Sequence, residues 1–265
     1  MSKYIDSRLR NEINEKMKKI ESHPTFYEKR KQFIVRDLRT IGDIYSFWIE
    51  NPELRRALCL ENKSPESVKK EARKGIQSMH NAWNYLNNPK LQDEIIYKIG
   101  ENDFEVIKSV NALVMGDPSK KRIGFRNWRV DLGCEDYNPP EKFDKIQEKI
   151  EETFNGVIED YSKDPLEAAI KWHLEGAGIQ PFGNGNKRTF RLIQDKILDE
   201  NNFPPVIIPS GEGKYYHKLF CKTLPAYDKK NVEGQRGFYD YCASKINNGL
   251  DEILADLNIP LNSCK

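Results

Sequence analysis

The chain has 265 residues, of which 32% are charged, and a formal net charge of +2. That length suits one large domain or two small ones with a sizeable core, and the balanced charge argues against a dedicated nucleic-acid binder, which concentrates basic residues on one face. No run approaches the ~18 apolar residues of a membrane span, and the polar start Met1-Ser2-Lys3-Tyr4-Ile5-Asp6 has no apolar signal-peptide core.

The expectation is therefore a cytoplasmic protein, although a secretion signal read by a dedicated export machine escapes this test. Five cysteines, Cys59, Cys134, Cys221, Cys242 and Cys264, are widely spaced, with no Cys-x-x-Cys pair and no zinc spacing. Free thiols are the simplest expectation.

In chain order, residues 3–22 place Ile5, Leu9, Ile13, Met17 and Ile20 at spacings of three and four, an amphipathic helix able to pack on the body or on another subunit. His23-Pro24 breaks it. Residues 28–50 read as one or two further helices, and Asn51-Pro52 restarts one. Ser64-Pro65 is a helix start with Ser as N-cap, and the pattern runs to about Leu86. Helices are expected from about Leu91 to Ile99 and again after Asp103.

Arg122 to Leu132 is the strand-like stretch, with Phe125, Trp128, Val130 and Leu132, and Asp136 to Pro140 closes it as an extended turn. Residues 141–160 read as a helix, and Asp164-Pro165 opens another. After a Gly/Asn-rich loop a helix runs to about Glu200, and two more patterns cover 212–225 and 236–257. The reading is mainly α, with one small β-hairpin.

The loop is the most informative stretch: Gln180-Pro181-Phe182-Gly183-Asn184-Gly185-Asn186-Lys187-Arg188-Thr189-Phe190-Arg191. Small residues running into a cationic helix start suggest a phosphate cradle, in which loop amides and a helix N-terminus face an anion. The stretch resembles the signature of the Fic family, His-x-Phe-x-Asp/Glu-Gly-Asn-Gly-Arg-x-x-Arg. The resemblance extends over roughly 105–225, from Gly124-Phe125-Arg126 and Pro139-Pro140 to Asn202-Phe203-Pro204-Pro205. It implies a Fic-like helical core with a β-hairpin flap, organised as an N-terminal helical region at 1–100, a core at 101–230 and a C-terminal helix at 231–265.

The resemblance also implies roles. ATP, usually with magnesium, is the family ligand, and AMP is usually transferred to a Ser, Thr or Tyr hydroxyl of a target protein (AMPylation). Gly185 and Asn186 match the anion-cradling positions, and Arg188 and Arg191 match the two signature arginines. The flap positions Gly124, Phe125, Arg126, Trp128 and Val130 match the segment that holds the target by strand addition.

Three positions depart from the pattern. Gln180 replaces the histidine, and a neutral amide cannot act as general base, a contribution typically worth ~10²–10⁴ in rate. Asn184 replaces the acidic residue that helps hold magnesium. Lys187 replaces a small residue and gives the Asn-Lys-Arg ending of the phosphoryl-transferring Doc-type relatives. His173, two helical turns before Gln180, reads as a packed helix histidine.

Upstream, Ala57-Leu58-Cys59-Leu60-Glu61-Asn62 resembles the family's inhibitory motif Ser/Thr-x-x-x-Glu-Gly/Asn, in which the glutamate pairs with the second arginine; Glu61 would then face Arg191. Two readings stay open. One is a catalytically impaired or altered relative (a pseudoenzyme) that binds a nucleotide or other phosphate ligand and a partner protein. The other is an active adenylyltransferase or phosphotransferase. The N-terminal helix offers a contact for a homo-oligomer.

Overall fold

A computed structural model describes residues 3–27, 46, 49, 66–91, 95–101, 104–117 and 124–259. Its helices, numbered among the described residues, are α1 (Ser7–Glu21), α2 (Glu66–Leu86), α3 (Ile95–Ile99), α4 (Glu105–Val114), α5 (Phe143–Tyr161), α6 (Pro165–Ile179), α7 (Asn186–Glu200), α8 (Gly213–Asp228) and α9 (Val232–Asp256).

Helix α6 is the axis of the molecule. Asp164 caps it, accepting the backbone N–H groups of Leu166 and Glu167, and Pro165 occupies its first turn, where no N–H is required. Almost every residue from Leu166 to Ile179 is buried, as expected of a helix enclosed by others, and the burial takes in Glu167, His173 and Glu175. It packs against α5, α7 and α8. Gly176 allows the close approach of α7, since a Cβ there would lie 2.1 Å from the Phe190 ring. Trp172 stands between Phe154 and Phe190 in edge-on contact with both rings.

Helix α1 packs on α9 of its own chain. Tyr4 stacks on Tyr239 with ring centroids 4.4 Å apart. The backbone N–H groups of Lys3, Tyr4 and Ile5 all donate to the Glu167 carboxylate. The apolar positions Ile13, Met17 and Ile20 are buried in this contact, so the face expected to pack on the body or on another subunit is covered within the chain. No described helix is long and apolar enough to cross a membrane.

Two expectations fail. The β-hairpin expected over Arg122–Leu132 is not formed: among the described residues there is no β-strand, and residues 121–123 lie outside them. The segment 124–140 is extended but held by point contacts instead of a ladder. Arg126 donates its backbone N–H to the Pro181 carbonyl at 2.8 Å. Its buried guanidinium reaches the carbonyls of Gln180, Trp128 and Pro140. Pro139 and Pro140 have no N–H to offer a neighbouring strand, and Gly133, at φ 70°, turns the chain beside an Asp131 side chain that accepts its N–H. The second failure concerns the thiols. Cys134 and Cys221 form a disulfide across a sequence separation of 87, joining the segment to α8. Cys242 is free and buried.

Burial against α5 also leaves a carboxyl in the core. Glu175 is pushed up to about 7, chiefly by loss of hydration, with the Lys171 ammonium and a Thr153 hydrogen bond opposing the shift. Between its ordinary 4.5 and about 7 the folded chain keeps a proton that the unfolded chain has lost, so this group's stabilisation falls as pH rises through that window. We expect Glu175→Gln to remove that slope. The difference in urea midpoint between variant and wild type should grow in the variant's favour from about pH 5 to about pH 8. The comparison separates Glu175 from His173, whose pKa burial lowers and whose stabilisation is lost on the acid side.

Candidate functional site

The C-terminal end of α6 is where the signature loop begins. Gln180 caps the helix in the left-handed conformation, φ 53° and ψ 55°, a backbone state usually left to Gly or Asn. Its side chain is committed to the loop. Nε2 donates to the Ala177 carbonyl at 2.6 Å, and Oε1 accepts from Asn186 Nδ2 at 3.0 Å. The Gln180 carbonyl accepts from Arg126 Nε at 2.6 Å.

Asn186, at the first position of α7, closes the loop from the other side. Its Oδ1 accepts the Phe182 N–H at 2.9 Å and its Nδ2 donates to the Phe182 carbonyl at 2.8 Å. Phe182 is buried against Phe125. From α4, Asn111 Nδ2 donates to the Asn184 carbonyl and to Thr189 Oγ1. Gly185 takes φ 80°, and a Cβ there would lie 2.9 Å from Met115 Sδ and 3.0 Å from Asn111 Nδ2. Only glycine fits that turn without displacement.

Beside this loop lies a cleft of about 230 Å³, lined by Gln180, residues 184–188, Asp131 and Leu132. Helix α7 opens there with no side-chain cap, so its first amides face the cleft with the positive end of the helix dipole. Lys187 and Arg188 add two cations. Lys187 Nζ lies 3.1 Å from His217 Nδ1, and Arg188 Nη2 lies 3.5 Å from Met115 Sδ. Arg188 also borders a larger cavity of about 580 Å³ between α2 and α4.

The sequence-predicted residues Gln180, Asn184, Gly185, Asn186, Lys187 and Arg188 thus share one cleft, whereas Arg191 does not line it. Arg191 is buried behind, over the Tyr216 ring, with Nε on Ser46 Oγ at 3.1 Å and Nη2 on the Ser46 carbonyl at 3.3 Å. Asn184 Oδ1 accepts the Gly185 N–H at 2.7 Å, and its remaining lone pair offers a cation a neutral amide ligand without charge. Among the described residues no three His, Cys, Asp or Glu side chains gather as a metal site.

His173 is fully buried, with Nε2 2.8 Å from the Tyr216 hydroxyl and its pKa well below the usual value through burial. Of the extended segment, Phe125 and Arg126 are buried, while Gly124 and Trp128 are exposed and Val130 is half-buried. The Trp128 ring lies against Gly183, where a Cβ would come within 2.8 Å of it. Glu61 lies outside the described residues.

Sequence reasoning missed Ser46 and Asn111. For Ser46 the signal was present: Ser46-Phe47-Trp48-Ile49-Glu50-Asn51 repeats the spacing Ser/Thr-x-x-x-Glu-Gly/Asn with the hydroxyl residue that Ala57 lacks. Asn111 was marked only as a polar position among the buried apolar residues of α4.

With this geometry in view, comparison with known proteins is direct. Residues 90–198 match the Fic/DOC family. Protein adenylyltransferase Fic of Drosophila willistoni is 32% identical over 147 residues, which are 54% of this chain and 28% of that protein. The same-named protein of Drosophila melanogaster is 30% identical over 147 residues, again 28% of its length. The chain therefore matches less than a third of these relatives.

Among solved structures, Fic-1 of C. elegans (residues 134–508) aligns with TM-score 0.65 and 18% identity, covering 94% of this chain and 72% of that one. A Fic domain-containing signaling protein of Bacteroides thetaiotaomicron aligns with TM-score 0.68 and 15% identity, covering 95% and 98%. At these identities the structural likeness speaks to the fold.

The loop geometry has a direct test. Asn186→Ala removes both partners of Phe182 and leaves buried polar groups unpaired, which costs about 1–3 kcal/mol. Urea denaturation should show a loss of that size, and Asn186→Asp, which keeps the acceptor for the Phe182 N–H, should recover part of it.

Proposed function

We propose that this chain is a Fic/DOC-type domain that binds the phosphates of a nucleotide, ATP first among them, in the Gly185–Arg188 cleft, and that its group transfer is impaired or altered because Gln180 stands at the position of the base. The observation that carries this reading is the pairing of an uncapped helix start and two cations with a neutral side chain already engaged in the loop. Lys187 and Arg188 serve as charge-assisted donors to phosphate oxygens, and the α7 amides supply further donors. The 580 Å³ cavity beyond Arg188 gives space for the rest of a nucleotide.

ATP, when bound, supplies an activated adenylyl or phosphoryl group; the chain's own residues hold and orient it. Gln180 takes no proton from an incoming hydroxyl. Asn184 would offer magnesium only a neutral amide oxygen, and no step is assigned to that ion. The target protein's segment is expected along residues 124–130, where Trp128 faces outward.

The second reading, an active adenylyltransferase, is favoured by the name of the Drosophila relatives. Restoring the histidine separates the two. With Gln180→His, adenylyl or phosphoryl transfer from ATP to a hydroxyl-bearing protein should rise by roughly 10²-fold or more. Equal turnover by both forms would instead mean that the chain transfers without a base at this position.

Arg191's contact with Ser46 supports an inhibitory role for Glu50, four residues on, as an alternative to Glu61. Ile49 lies beside Gly213 and packs on the core. Calorimetric titration of ATP into wild type, Glu50→Gly and Glu61→Gly should show tighter binding in Glu50→Gly alone. Tightening in Glu61→Gly alone would return the role to that residue, and no binding in any form would leave a Fic-shaped interaction module.

A further inference from the structure

We infer that Cys134 and Cys221 form a reversible dithiol–disulfide couple that clamps the rim of the cleft, so that the redox state of the chain governs anion binding. The inference rests on the anion reading of the cleft given above.

The clamp sits where the rim has few other supports. The segment 124–140 has no ladder, and its fixed points are Arg126 with Phe125 at one end and the buried Tyr137 with Pro139 near the other. Between them run the exposed residues Asn127 to Arg129, then exposed Asp131 and buried Leu132, both of which line the cleft. Cys134 follows Leu132 by two residues and is bonded to α8 through Cys221, with Cα atoms 5.1 Å apart. The bond therefore holds the lining pair against a helix that the segment otherwise meets through weak contacts such as Gly133 O to Cys221 Sγ at 4.0 Å.

A second path runs from the sulfur to the cleft through side chains. Cys221 Sγ lies 3.7 Å from His217 Nε2, and His217 Nδ1 lies 3.1 Å from the Nζ of Lys187, which lines the cleft. With Lys187 charged, His217 accepts at Nδ1 and carries its proton on Nε2, facing the sulfur. A thiolate formed at Cys221 would be stabilised by that N–H and by the ammonium beyond it.

Both cysteines are half-buried, within reach of a reductant. The exchange balances with an external dithiol, protein or small molecule. Its thiolate attacks Cys134 Sγ, the S–S bond breaks, and Cys221 leaves as the thiolate beside His217. The second thiol of the reductant, as thiolate, then attacks its own sulfur in the mixed disulfide and releases Cys134. The chain gains two electrons and, after protonation, two thiols; the reductant becomes a disulfide. Freed of the bond, the exposed Asp131 and the loop after buried Leu132 lose their covalent tie to α8 beside Lys187.

The test uses the full chain purified without reductant, dithiothreitol as reductant and inorganic pyrophosphate as the anion. Alkylation with mass spectrometry should find Cys134 and Cys221 protected before reduction and labelled after it. Hydrogen exchange across residues 127–136 should quicken by roughly tenfold or more on reduction, with residues 165–179 unchanged. Pyrophosphate affinity should fall severalfold, and Cys221→Ser should match the reduced protein under both conditions. Labelling of both thiols without reductant, or exchange that ignores reduction, overturns the proposal. Equal pyrophosphate affinity in both states overturns the control while sparing the anion reading. Faster exchange with no pyrophosphate binding in either state supports the clamp and defeats the anion reading.

Discussion

The left-handed turn at Gln180 is the constraint around which the site is built. A helix buried on nearly all sides must end somewhere, and here it ends with a residue whose backbone is in a disfavoured region and whose carbonyl and side-chain amide are all hydrogen-bonded. The unfavourable backbone costs about 1–2 kcal/mol, offset by the bonds the turn permits. Through Asn186 the turn fixes the start of α7, and through Arg126 it fixes the segment that forms the opposite rim. Loop, helix start and rim thus share one anchor.

That arrangement gives the departure from the family signature a physical meaning. A side chain at this position that served as general base would need a titratable atom facing the reacting hydroxyl. The glutamine amide is instead turned inward, donating to the end of its own helix and accepting from the loop. The cationic part of the site remains, in Lys187, Arg188 and the α7 amides, while the second signature arginine is held in the interior by Ser46 and Tyr216. Two cations and a neutral, hydrogen-bonded amide thus stand side by side in one cleft.

Much of the fold was legible because helix boundaries are written in local chemistry. Asp164-Pro165 predicts the start of α6, and the apolar spacing of residues 3–22 predicts α1, since capping and periodicity depend on near neighbours. The hairpin was misread for the same reason. The β-favouring residues from Phe125 to Leu132 are present, but a strand needs a partner, and here a buried arginine and two prolines take over the backbone contacts. The disulfide joins positions separated by 87 residues and leaves no local mark. The retreat of Arg191 could not be read from its helical spacing to Arg188; its only mark was the distant Ser46–Asn51 spacing.

The central claim is that Gln180 is a structural latch beside an anion site and takes no part in proton transfer. A crystal structure of the chain with inorganic pyrophosphate tests it most directly. The account predicts the anion on the amides of residues 186–188 with Lys187 and Arg188, while the Gln180 amide keeps its bonds to Ala177 and Asn186. A Gln180 side chain released from Asn186 and turned onto the ligand, or an anion bound away from this loop, would contradict it.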